Sequence, residues 1–429
     1  MKENYSRLRG FLDIYGDDVY YFNLIENTFR KHAILYGFKE IKLPILERTE
    51  LFVRGIGESS DIVRKEMFSF EDRGGRSVTM RPEGTASVVR AFLENNFLSD
   101  PSYYKLFYVG PMFRAERPQA GRLRQFNQVG VEWFGSDDPI VDFETISLLW
   151  DVLNELGLGN KVKFFFNSVG CRECVPNYKD KLKSFFDENK EKFCTDCHQR
   201  RDKNVLRIFD CKNESCVNTL KTAPKITDNL CDKCKYHLDR LVELSSKNNI
   251  PFEIDETLVR GLDYYTRNVF EVRVEGIGAQ NAIAGGGRYN YLVEEFGGPY
   301  TPAFGFAMGI ERLMIVLKEE IKPEKDINIS VCTISENELE YALFVVRFLR
   351  SKGIKTHLLS YIGNISKQMK LANKLDSEYV IILGEDELKE KTITVKSMKD
   401  GNQSKKTLDE FYLEVHSNIV GSSNSLNTL

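Results

Sequence analysis

The sequence predicts an α+β fold that carries an inserted small domain and is followed by a separate α/β domain. Up to about residue 324, strand-like runs joined by short turns are mixed with segments of helical periodicity, which is typical of α+β folds. Eight of the nine cysteines lie between residues 160 and 248, in a stretch rich in Lys and Asn. After residue 325, strands and helices alternate regularly, which indicates a small α/β domain.

The first part of the chain contains four well-marked elements. Apolar residues at helical spacing predict a helix over 18–36, and alternation predicts a strand over 38–47 that Pro44 interrupts. Two strand-like runs around a Gly-Gly turn predict a hairpin over 68–84. A helix follows from Thr85, which is the expected N-cap.

A second hairpin follows, with strands over 104–116 and 124–135 on either side of an arginine-rich loop. The remaining predicted elements of this part are a helix, a mostly extended segment and two strand–turn–helix units, at 142–158, 252–274, 282–298 and 302–317.

From these patterns we assign four regions. The first domain comprises residues 1–159 and 249–324, and a basic, cysteine-rich domain is inserted at 160–248. The α/β domain spans 325–415, with four predicted strands and two predicted helices. Residues 416–429 are expected to form a disordered tail.

Composition excludes several classes of protein. The chain is 42% hydrophobic, which is enough for packed cores, yet no apolar run approaches the ~20 residues of a membrane helix. The first residues show no apolar signal-peptide region, so the nine cysteines are expected to be reduced thiols or metal ligands. We therefore expect a cytoplasmic protein that does not associate with membranes.

The charge of the chain is unevenly distributed. The formal net charge is −3, but residues 160–248 contain 19 Lys and Arg against 13 Asp and Glu. Clustered positive charge suits contact with nucleic-acid phosphates. A solvated basic surface would have the same composition, so both interpretations remain open.

The motifs indicate polyphosphate chemistry rather than histidine-based catalysis. The five histidines lie outside the glycine- and arginine-rich stretches, and the sequence contains no P-loop. Reactions of polyphosphates depend on positioning and on neutralisation of charge. Arginine does both, because its guanidinium is always charged and forms bidentate hydrogen bonds.

The arginine-rich loop of the second hairpin supplies this charge. It carries Arg114, Arg117, Arg122 and Arg124. Because alternate residues of a strand share a face, Arg114 and Glu116 are predicted to face one cleft, as are Gln128 and Glu132. Phe126 could offer an apolar face to a base. The alternative is an exposed hairpin whose arginines are only solvated.

Later stretches could complete a polar site. Residues Arg260–Tyr265 combine an arginine, an aspartate and two tyrosines, and a core strand would explain the tyrosines but not the charged pair. Glycines at 285–287 permit close approach of a ligand to the backbone. Glu311 and Arg312 lie near a predicted helix start, where an ordinary amphipathic helix is the alternative.

Together these stretches resemble the class II aminoacyl-tRNA synthetases, and most of all the histidyl-tRNA synthetases. The segments that look like the three motifs of the class are 36–47, 113–135 and 303–313. The segments that resemble the histidine enzymes in particular are "RPEGTA" at 81–86, "RGLDYYT" at 260–266 and "GGGRY" at 285–289. The resemblance extends to about residue 415. It implies an antiparallel-sheet catalytic domain and a C-terminal anticodon-binding domain.

The resemblance also implies roles for the matching residues. The expected histidine-binding residues are Glu83, Gly84, Thr85, Gln128, Glu132, Arg260, Tyr264, Tyr265, Gly287 and Tyr289. The expected ATP-binding residues are Arg114, Glu116, Arg122, Phe126 and Arg312. Arg260, Arg114 and Arg312 are expected to take part in catalysis, because they would neutralise charge on the reacting phosphates.

The implied activity is the ATP-dependent ligation of L-histidine to tRNA-His. The histidine carboxylate would attack the α-phosphorus of ATP, giving histidyl-adenylate and pyrophosphate. The terminal ribose hydroxyl of the tRNA would then accept the histidyl group. The resemblance further implies that Mg²⁺ assists with ATP and that the chain forms a homodimer.

Two alternatives to this activity deserve comparison. A regulatory subunit of ATP phosphoribosyltransferase resembles the same core, but such paralogues typically lack the C-terminal domain and have a degraded "RGLDYYT" segment. A synthetase for threonine or proline would share the three class motifs. It would leave "RGLDYYT" and "GGGRY" without an explanation.

The cysteines suggest a structural metal. Eight of them form the close pairs Cys171/Cys174, Cys194/Cys197, Cys211/Cys216 and Cys231/Cys234. Four such pairs suffice for two tetrathiolate zinc sites. The set nearest in sequence, and therefore expected to bind Zn²⁺, is Cys194, Cys197, Cys211 and Cys216. Scattered reduced thiols are the alternative.

Overall fold

The computed structural model describes residues 5–58, 60–119, 121–274, 281–323 and 327–423. The chain divides into two compact units, Met1–Pro323 and Glu324–Leu429. The first unit mixes helices with a largely antiparallel sheet, and the second is an α/β unit, so the predicted fold class is confirmed.

The helices of the first unit are α1 (Asp17–Leu35), α2 (Thr49–Ile56), α3 (Thr85–Glu94), α4 (Ile140–Glu155), α5 (Val175–Glu188), α6 (Thr195–Asn204), α7 (Glu214–Leu220), α8 (Asp232–Lys247), α9 (Leu292–Glu295) and α10 (Ile310–Glu320). Its strands are β1 (Lys39–Glu40), β2 (Leu46–Arg48), β3 (Phe68–Glu71), β4 (Ser77–Met80), β5 (Lys105–Phe113), β6 (Gln125–Phe134), β7 (Val162–Ser168), β8 (Phe252–Ile254), β9 (Thr266–Val274), β10 (Ala282–Arg288) and β11 (Ala303–Gly309).

One large sheet forms the framework of the first unit. Its strands follow the order β1-β5-β6-β11-β10-β9-β7-β8, and a smaller sheet has the order β2-β4-β3. Neighbours in the large sheet are antiparallel, except for the parallel pairs β1–β5 and β7–β8. Helices α1, α4 and α10 pack together with the sheet around the main hydrophobic core. The opposite face of the sheet is therefore available for a ligand-binding site.

Side-chain alternation divides the residues of β5 and β6 between these two faces. Phe107 and Val129 belong to the main core, whereas Tyr108 belongs to a second apolar cluster. Because alternate residues of a strand share a face, Gln128 and Glu132 lie on the same side as Tyr108. The period of two thus separates a buried apolar face from a polar one.

Helix α1 shows how local chemistry sets an element's ends. Asp17 and Asp18 occupy its first turn, where negative charge is stabilised by the helix dipole. Gly37 follows the helix with φ +81°, and the amide of Phe38 donates to the carbonyl of Ala33 at 2.9 Å. A left-handed glycine with a backward hydrogen bond is a common helix end, and it matches the predicted boundary.

The hairpin predicted at 68–84 is present as β3 and β4, but the expected N-cap of the next helix is wrong. Gly84 is the N-cap, and Thr85 is the first helical residue. The Thr85 amide donates to Glu83 at 2.6 Å, and its hydroxyl donates to Glu132, also at 2.6 Å. The Glu83 carboxylate therefore caps the helix, which leaves the threonine hydroxyl for a buried polar cluster.

The predicted insertion at 160–248 begins too early, because β7 pairs with β9 and β8 of the large sheet. It also ends too late, since α8 packs against α4 and β9 and contributes to the main core. Residues 171–231 lie between these framework elements, and we call them the inserted lobe. The lobe has a small core of its own that includes Tyr178, Leu182, Phe186, Val205, Ile208 and Leu220.

The second unit is built on one sheet with the order β13-β12-β14-β15-β16. Its strands are β12 (Asn328–Thr333), β13 (Lys355–Leu358), β14 (Tyr379–Leu383), β15 (Ile393–Ser397) and β16 (Gln403–Lys406). Its helices are α11 (Leu339–Ser351), α12 (Ile365–Lys374), α13 (Glu385–Glu390) and α14 (Leu408–Ser423). The strands β13, β12 and β14 are parallel, and β15 and β16 extend the sheet in antiparallel fashion.

The prediction of a disordered tail over 416–429 is wrong up to Ser423, because α14 continues to that residue. Phe411 and Val415 on this helix are fully buried in the core of the second unit, and this packing explains why the helix forms. Residues 424–429 lie outside the described part of the chain. Among the described helices, none has the length and apolar character needed to cross a membrane.

Candidate active site

A cavity of about 250 Å³ opens on the polar face of the large sheet. We call it the central cavity. The predicted site residues that line it are Glu83, Thr85, Arg114, Glu116, Arg122, Phe126, Gln128, Arg260, Tyr264, Tyr265 and Arg312. The structure thus brings together side chains from four separate stretches of sequence. The other predicted residues, Gly84, Glu132, Gly287 and Tyr289, lie behind this wall.

Three arginines converge at one side of the central cavity, and the protein holds each of them in place. Arg312 donates from Nε to the carbonyl of Gly121 at 2.9 Å, and Arg114 donates from Nε to the carbonyl of Pro82 at 2.9 Å. Arg122 pairs with Glu116, with 2.5 Å between Nε and Oε2. Because backbone carbonyls carry no full charge, they fix Arg312 and Arg114 without neutralising them. The charge of Arg122 is balanced in part by Glu116.

The electrostatics of this cluster favour an anionic ligand. Burial lowers the pKa of Arg312, and the positive charges of Arg122 and Arg114 lower it further. Like charges held together in a partly buried site destabilise one another. A polyphosphate would relieve that repulsion and would accept the bidentate hydrogen bonds that guanidiniums offer.

Arg260 also lines the central cavity, but the prediction that it lies in an extended, strand-like segment is wrong. It lies in the irregular segment before β9, not in a strand. Its Nη1 donates to Glu271 Oε2 at 2.8 Å. A Cβ atom on Gly285 would lie 2.5 Å from the Arg260 guanidinium, so only glycine leaves room for it there. Arg260 therefore lies flat on the sheet at the cavity wall.

A buried cluster of carboxyls and hydroxyls forms the end of the central cavity away from the three arginines. Glu132 accepts hydrogen bonds from Thr85 and from the hydroxyl of Tyr289. Burial raises the pKa of the Glu132 carboxyl to about 8, although both hydrogen bonds lower it, and the nearby charge of Glu83 adds to the increase. Burial likewise raises the pKa of Glu83. Two buried carboxyls in one cluster form a site that a cation would stabilise.

Gln128 extends this polar end to the cavity wall. Its Oε1 atom is buried and has no hydrogen-bond partner within the described residues. A buried amide oxygen without a partner is costly, so it is a natural acceptor for a ligand.

Tyr108 is a cavity residue that sequence reasoning missed. It is buried and lies on β5, on the same face as Gln128. Cβ atoms on Gly84 and Gly130 would lie 2.3 Å and 2.5 Å from the Tyr108 ring, so both glycines make space for it. The alternation of residues along β5 is the sequence signal that could have identified it as a cavity residue. Glu271, which binds Arg260, was missed as well.

A second cavity of about 760 Å³ adjoins the first and faces the inserted lobe. Arg114, Glu116 and Arg122 line both cavities. Cys194 and Cys211 of the lobe lie on the wall of the second cavity. The arginine hairpin therefore separates the two spaces, and the lobe stands next to the candidate active site.

The thiols of the inserted lobe and the start of α8 form two clusters. One contains Cys171, Cys174, Cys231 and Cys234, and the other contains Cys194, Cys197, Cys211 and Cys216. Within each cluster all four Sγ atoms lie within 4.8 Å of one another. Four converging thiols are a donor set suited to Zn²⁺.

Comparisons with known proteins agree with this architecture. The family model for histidyl-tRNA synthetase matches residues 10–313, and the model for the anticodon binding domain matches residues 328–418. The histidine–tRNA ligase of Halothermothrix orenii is 51% identical over 88% of this chain and 91% of its own length. The histidine–tRNA ligase of Clostridioides difficile is 45% identical over 92% of this chain and 95% of its own length.

Solved structures give the same result. The apo crystal structure of S. aureus histidyl-tRNA synthetase has a TM-score of 0.78 at 35% identity, and covers 95% of this chain and 98% of its own. A Bacillus halodurans protein described as an ATP phosphoribosyltransferase regulatory subunit/histidyl-tRNA synthetase matches at 20% identity, a level that shows only a shared fold. With relatives near 50% identical that span both units, the chain belongs to the histidyl-tRNA synthetase family of class II aminoacyl-tRNA synthetases.

Proposed function

We propose that this chain ligates L-histidine to tRNA-His at the expense of ATP, and that the central cavity is where histidine and ATP react. The observation that supports this most is the arrangement of the cavity, with three arginines at one side and a buried carboxyl cluster at the other. A dianionic or polyanionic ligand and a cationic one can thus bind side by side.

The proposed reaction has two steps. A carboxylate oxygen of histidine attacks the α-phosphorus of ATP, the bond to the bridging oxygen of the β-phosphate breaks, and pyrophosphate leaves. A terminal ribose hydroxyl of the tRNA then attacks the carbonyl carbon of histidyl-adenylate, and AMP leaves.

The carboxyl end of the cavity is the proposed histidine site. Glu83, Thr85, Gln128 and Glu132 would stabilise the α-ammonium group, directly or through one another. The imidazole side would be bound or supported by the hydroxyls of Tyr264, Tyr265 and Tyr289. Gly84 and Gly287 would leave space along the backbone because they carry no side chain. A site that pairs both ring nitrogens rejects analogues lacking them by about 10⁴-fold.

The arginine side is the proposed ATP site. Arg114 and Arg312 would bind the phosphates, Arg122 and Glu116 would orient the nucleotide, and Phe126 would pack against adenine. The guanidinium of Arg114 lies 5.3 Å from the centre of the Phe126 ring, so charge and apolar surface are adjacent. Carboxylates on the cavity wall are ligands that Mg²⁺ prefers. When bound with ATP, Mg²⁺ would further neutralise phosphate charge.

Two regions are proposed to contact tRNA. The second unit, which matches the anticodon binding domain, would read the anticodon. The basic inserted lobe would contact the acceptor arm through phosphates, which is the general role of clustered Lys and Arg.

We also propose a homodimer. Near the N-terminus, Tyr5, Leu8 and Tyr15 are 90%, 71% and 76% exposed, and Ile45 and Phe70 expose apolar surface beside the small sheet. Exposed apolar side chains of this kind are suited to a protein interface. Sedimentation should give twice the mass of the chain, and a species of monomer mass at micromolar concentration would contradict the proposal.

Cys194, Cys197, Cys211 and Cys216 are the proposed ligands of a structural zinc ion. Their number, type and convergence fit a closed tetrahedral site, and nothing in the reaction needs them. Reduced thiols of this kind fit the proposed cytoplasmic location.

The direct test of the proposed function is histidine-dependent exchange of pyrophosphate into ATP. Purified protein should catalyse exchange with histidine and not with threonine or proline. Folded protein without histidine-dependent exchange would instead favour a regulatory paralogue.

Histidine binding should release a proton near neutral pH. With a pKa of about 8, Glu132 is largely protonated at pH 7, and an ammonium group bound nearby would lower that pKa. Calorimetry in buffers of different ionisation enthalpy should show release of about one proton at pH 7, falling towards zero by about pH 9. Glu132→Gln should lose most of this release, whereas the exposed carboxylate variant Glu94→Gln should keep it. Equal release from both variants would rule out Glu132 as the source.

Reversing charge on the inserted lobe should weaken tRNA binding. In the double variant Lys181→Glu, Lys183→Glu, the KM for tRNA should rise about tenfold or more at low salt, and its dependence on salt should become shallower. Pyrophosphate exchange needs no tRNA, so it should stay within twofold and serves as the internal control. Unchanged charging kinetics at every salt concentration would show that the lobe is only a solvated basic surface.

A further inference from the structure

We propose that the chain binds two zinc ions, one in each thiol cluster, and that the ion held by Cys194, Cys197, Cys211 and Cys216 keeps Arg207 against the active-site loop Arg260–Asp263. In this account Arg207 is a positioning residue for Arg260. The kinetic consequence rests on the proposed function, whereas the metal content and the order of the loop do not.

The sulfur geometry supports metal ions rather than disulfides. The Sγ atoms of Cys194 and Cys211 are 3.7 Å apart, and Cys171 lies 3.6 Å from Cys174 and 3.7 Å from Cys231. A disulfide would bring two sulfurs to about 2.05 Å. In a tetrahedral site with Zn–S bonds of about 2.3 Å, neighbouring sulfurs are about 3.8 Å apart. The observed separations match the second arrangement.

Backbone amides are already directed at the sulfurs of the second cluster. The amide of Cys194 donates to Cys216 Sγ at 3.2 Å, and the amide of Asn213 donates to Cys211 Sγ at 3.4 Å. Such hydrogen bonds stabilise sulfur in its charged, metal-binding form and orient it.

The two clusters occupy complementary places in the fold. Cys171 and Cys174 follow β7, and Cys231 and Cys234 stand at the start of α8, so this cluster joins the two ends of the inserted lobe. The other cluster lies inside the lobe and joins α6 to the segment around α7. One ion would therefore anchor the lobe to the framework, and the other would fix its internal shape.

Arg207 lies between the thiols of the second cluster along the chain. It is on the 3₁₀ helix Val205–Asp210, which follows α6 and ends directly before Cys211. Cys197 is within α6, so ligands of the same site flank the 3₁₀ helix on both sides. The Arg207 side chain is only 9% exposed. A metal at this site would restrict the helix that carries Arg207.

The Arg207 guanidinium binds the active-site loop through two different groups. Its Nη2 and Nε donate to Asp263 Oδ1 at 2.7 Å and 3.2 Å, and its Nη1 donates to the carbonyl of Arg260 at 2.9 Å. A further bond from Nη1 to Asp210, at 3.1 Å, ties the guanidinium to its own helix. Charge-assisted hydrogen bonds with little solvent access are among the stronger ones.

These contacts form a short, continuous path from the thiols to the central cavity. Arg207 holds the backbone of Arg260, and the side chain of Arg260 reaches the cavity wall and Glu271. The loop has no regular secondary structure of its own from Leu258 to Tyr265, so its shape depends on such tertiary contacts. Removing the Arg207 contacts should therefore displace Arg260 without removing it.

Metal analysis of full-length protein, purified without chelator, tests the first half of the proposal. We expect two equivalents of zinc in the wild type, one in Cys211→Ser, and two in the control Cys332→Ser, whose thiol lies in the second unit. One equivalent or fewer in folded wild-type protein would overturn the proposal, as would two equivalents in Cys211→Ser.

Arg207→Met tests the second half, with Arg201→Met as a matched control. Arg201 lies on α6 of the same lobe, and its ion pairs within the described part of the chain are with Asp187 and Asp202. We expect Arg207→Met to retain two zinc ions and to lower kcat for histidine-dependent exchange by about tenfold or more, with a smaller change in the KM for histidine. Amide hydrogen exchange over residues 258–266 should become faster in Arg207→Met and in Cys211→Ser, but not in Arg201→Met.

Unchanged hydrogen exchange in residues 258–266 of Arg207→Met would overturn the positioning role, and so would a kcat within twofold of the wild type. Absence of histidine-dependent exchange in the wild type would instead refute the proposed function. In that case zinc content and hydrogen exchange still decide whether the metal site orders the loop.

Discussion

Arg260→Ala should reduce the rate of histidyl-adenylate formation by two or more orders of magnitude, while histidine affinity falls much less. Two orders of magnitude correspond to about 2.7 kcal/mol of transition-state stabilisation. The physical reason is that a fixed guanidinium at the cavity wall neutralises charge as it develops on the reacting phosphate and needs no proton transfer. Single-turnover pyrophosphate release measures the rate, and calorimetry measures the affinity.

The choice of control matters because Arg260 also pairs with Glu271, at 2.8 Å. Arg90→Ala removes an arginine of similar exposure that pairs with Glu47 and Glu94, outside the central cavity. It should leave the rate of adenylate formation within twofold. If Arg260→Ala lowers rate and histidine affinity by the same factor, Arg260 is a binding or folding residue rather than a catalytic one.

Ending the chain after Pro323 should abolish most tRNA charging and spare histidine-dependent pyrophosphate exchange. The chain divides into separate units at this point, and each has its own hydrophobic core. The described residues that line the central cavity all belong to the first unit. Adenylate chemistry should therefore continue, whereas loss of the unit that matches the anticodon binding domain should reduce kcat/KM for tRNA by two or more orders of magnitude.

Charging at saturating tRNA separates the possible causes. If the second unit only contributes affinity, much of the lost charging should return as the tRNA concentration rises. Equal loss of exchange and charging, in protein whose thermal unfolding remains cooperative, would show that the second unit supports the first instead of recognising tRNA.

Much of the large sheet could be predicted because strand alternation is visible in the sequence. The run containing Phe126 and Gln128 has a period of two, and the structure places both side chains at the central cavity. Helix α1 was equally clear, since its apolar spacing, acidic first turn and terminal glycine agree with one another. Where local signals reinforce each other, prediction succeeds.

The parts that were mispredicted depend on contacts between distant residues. Leu258–Tyr265 contains residues that favour strands, but the segment is irregular in a region where Arg207 and Glu271 bind it. The insertion boundary was misplaced because cysteine content does not show that β7 pairs with β9. Helix α14 was missed because its last turns are rich in Gly and Ser, while Phe411 and Val415 hold it in place by packing.

Aminoacylation of total tRNA, with each amino acid tested in turn, examines the central claim most directly. The proposed function requires histidine, ATP and tRNA to react in one enzyme, and the chain has both the cavity and the second unit that this demands. The expected result is attachment of histidine alone, to a single tRNA species and only in the presence of ATP. Attachment of a different amino acid, or no attachment by folded protein, would contradict the account.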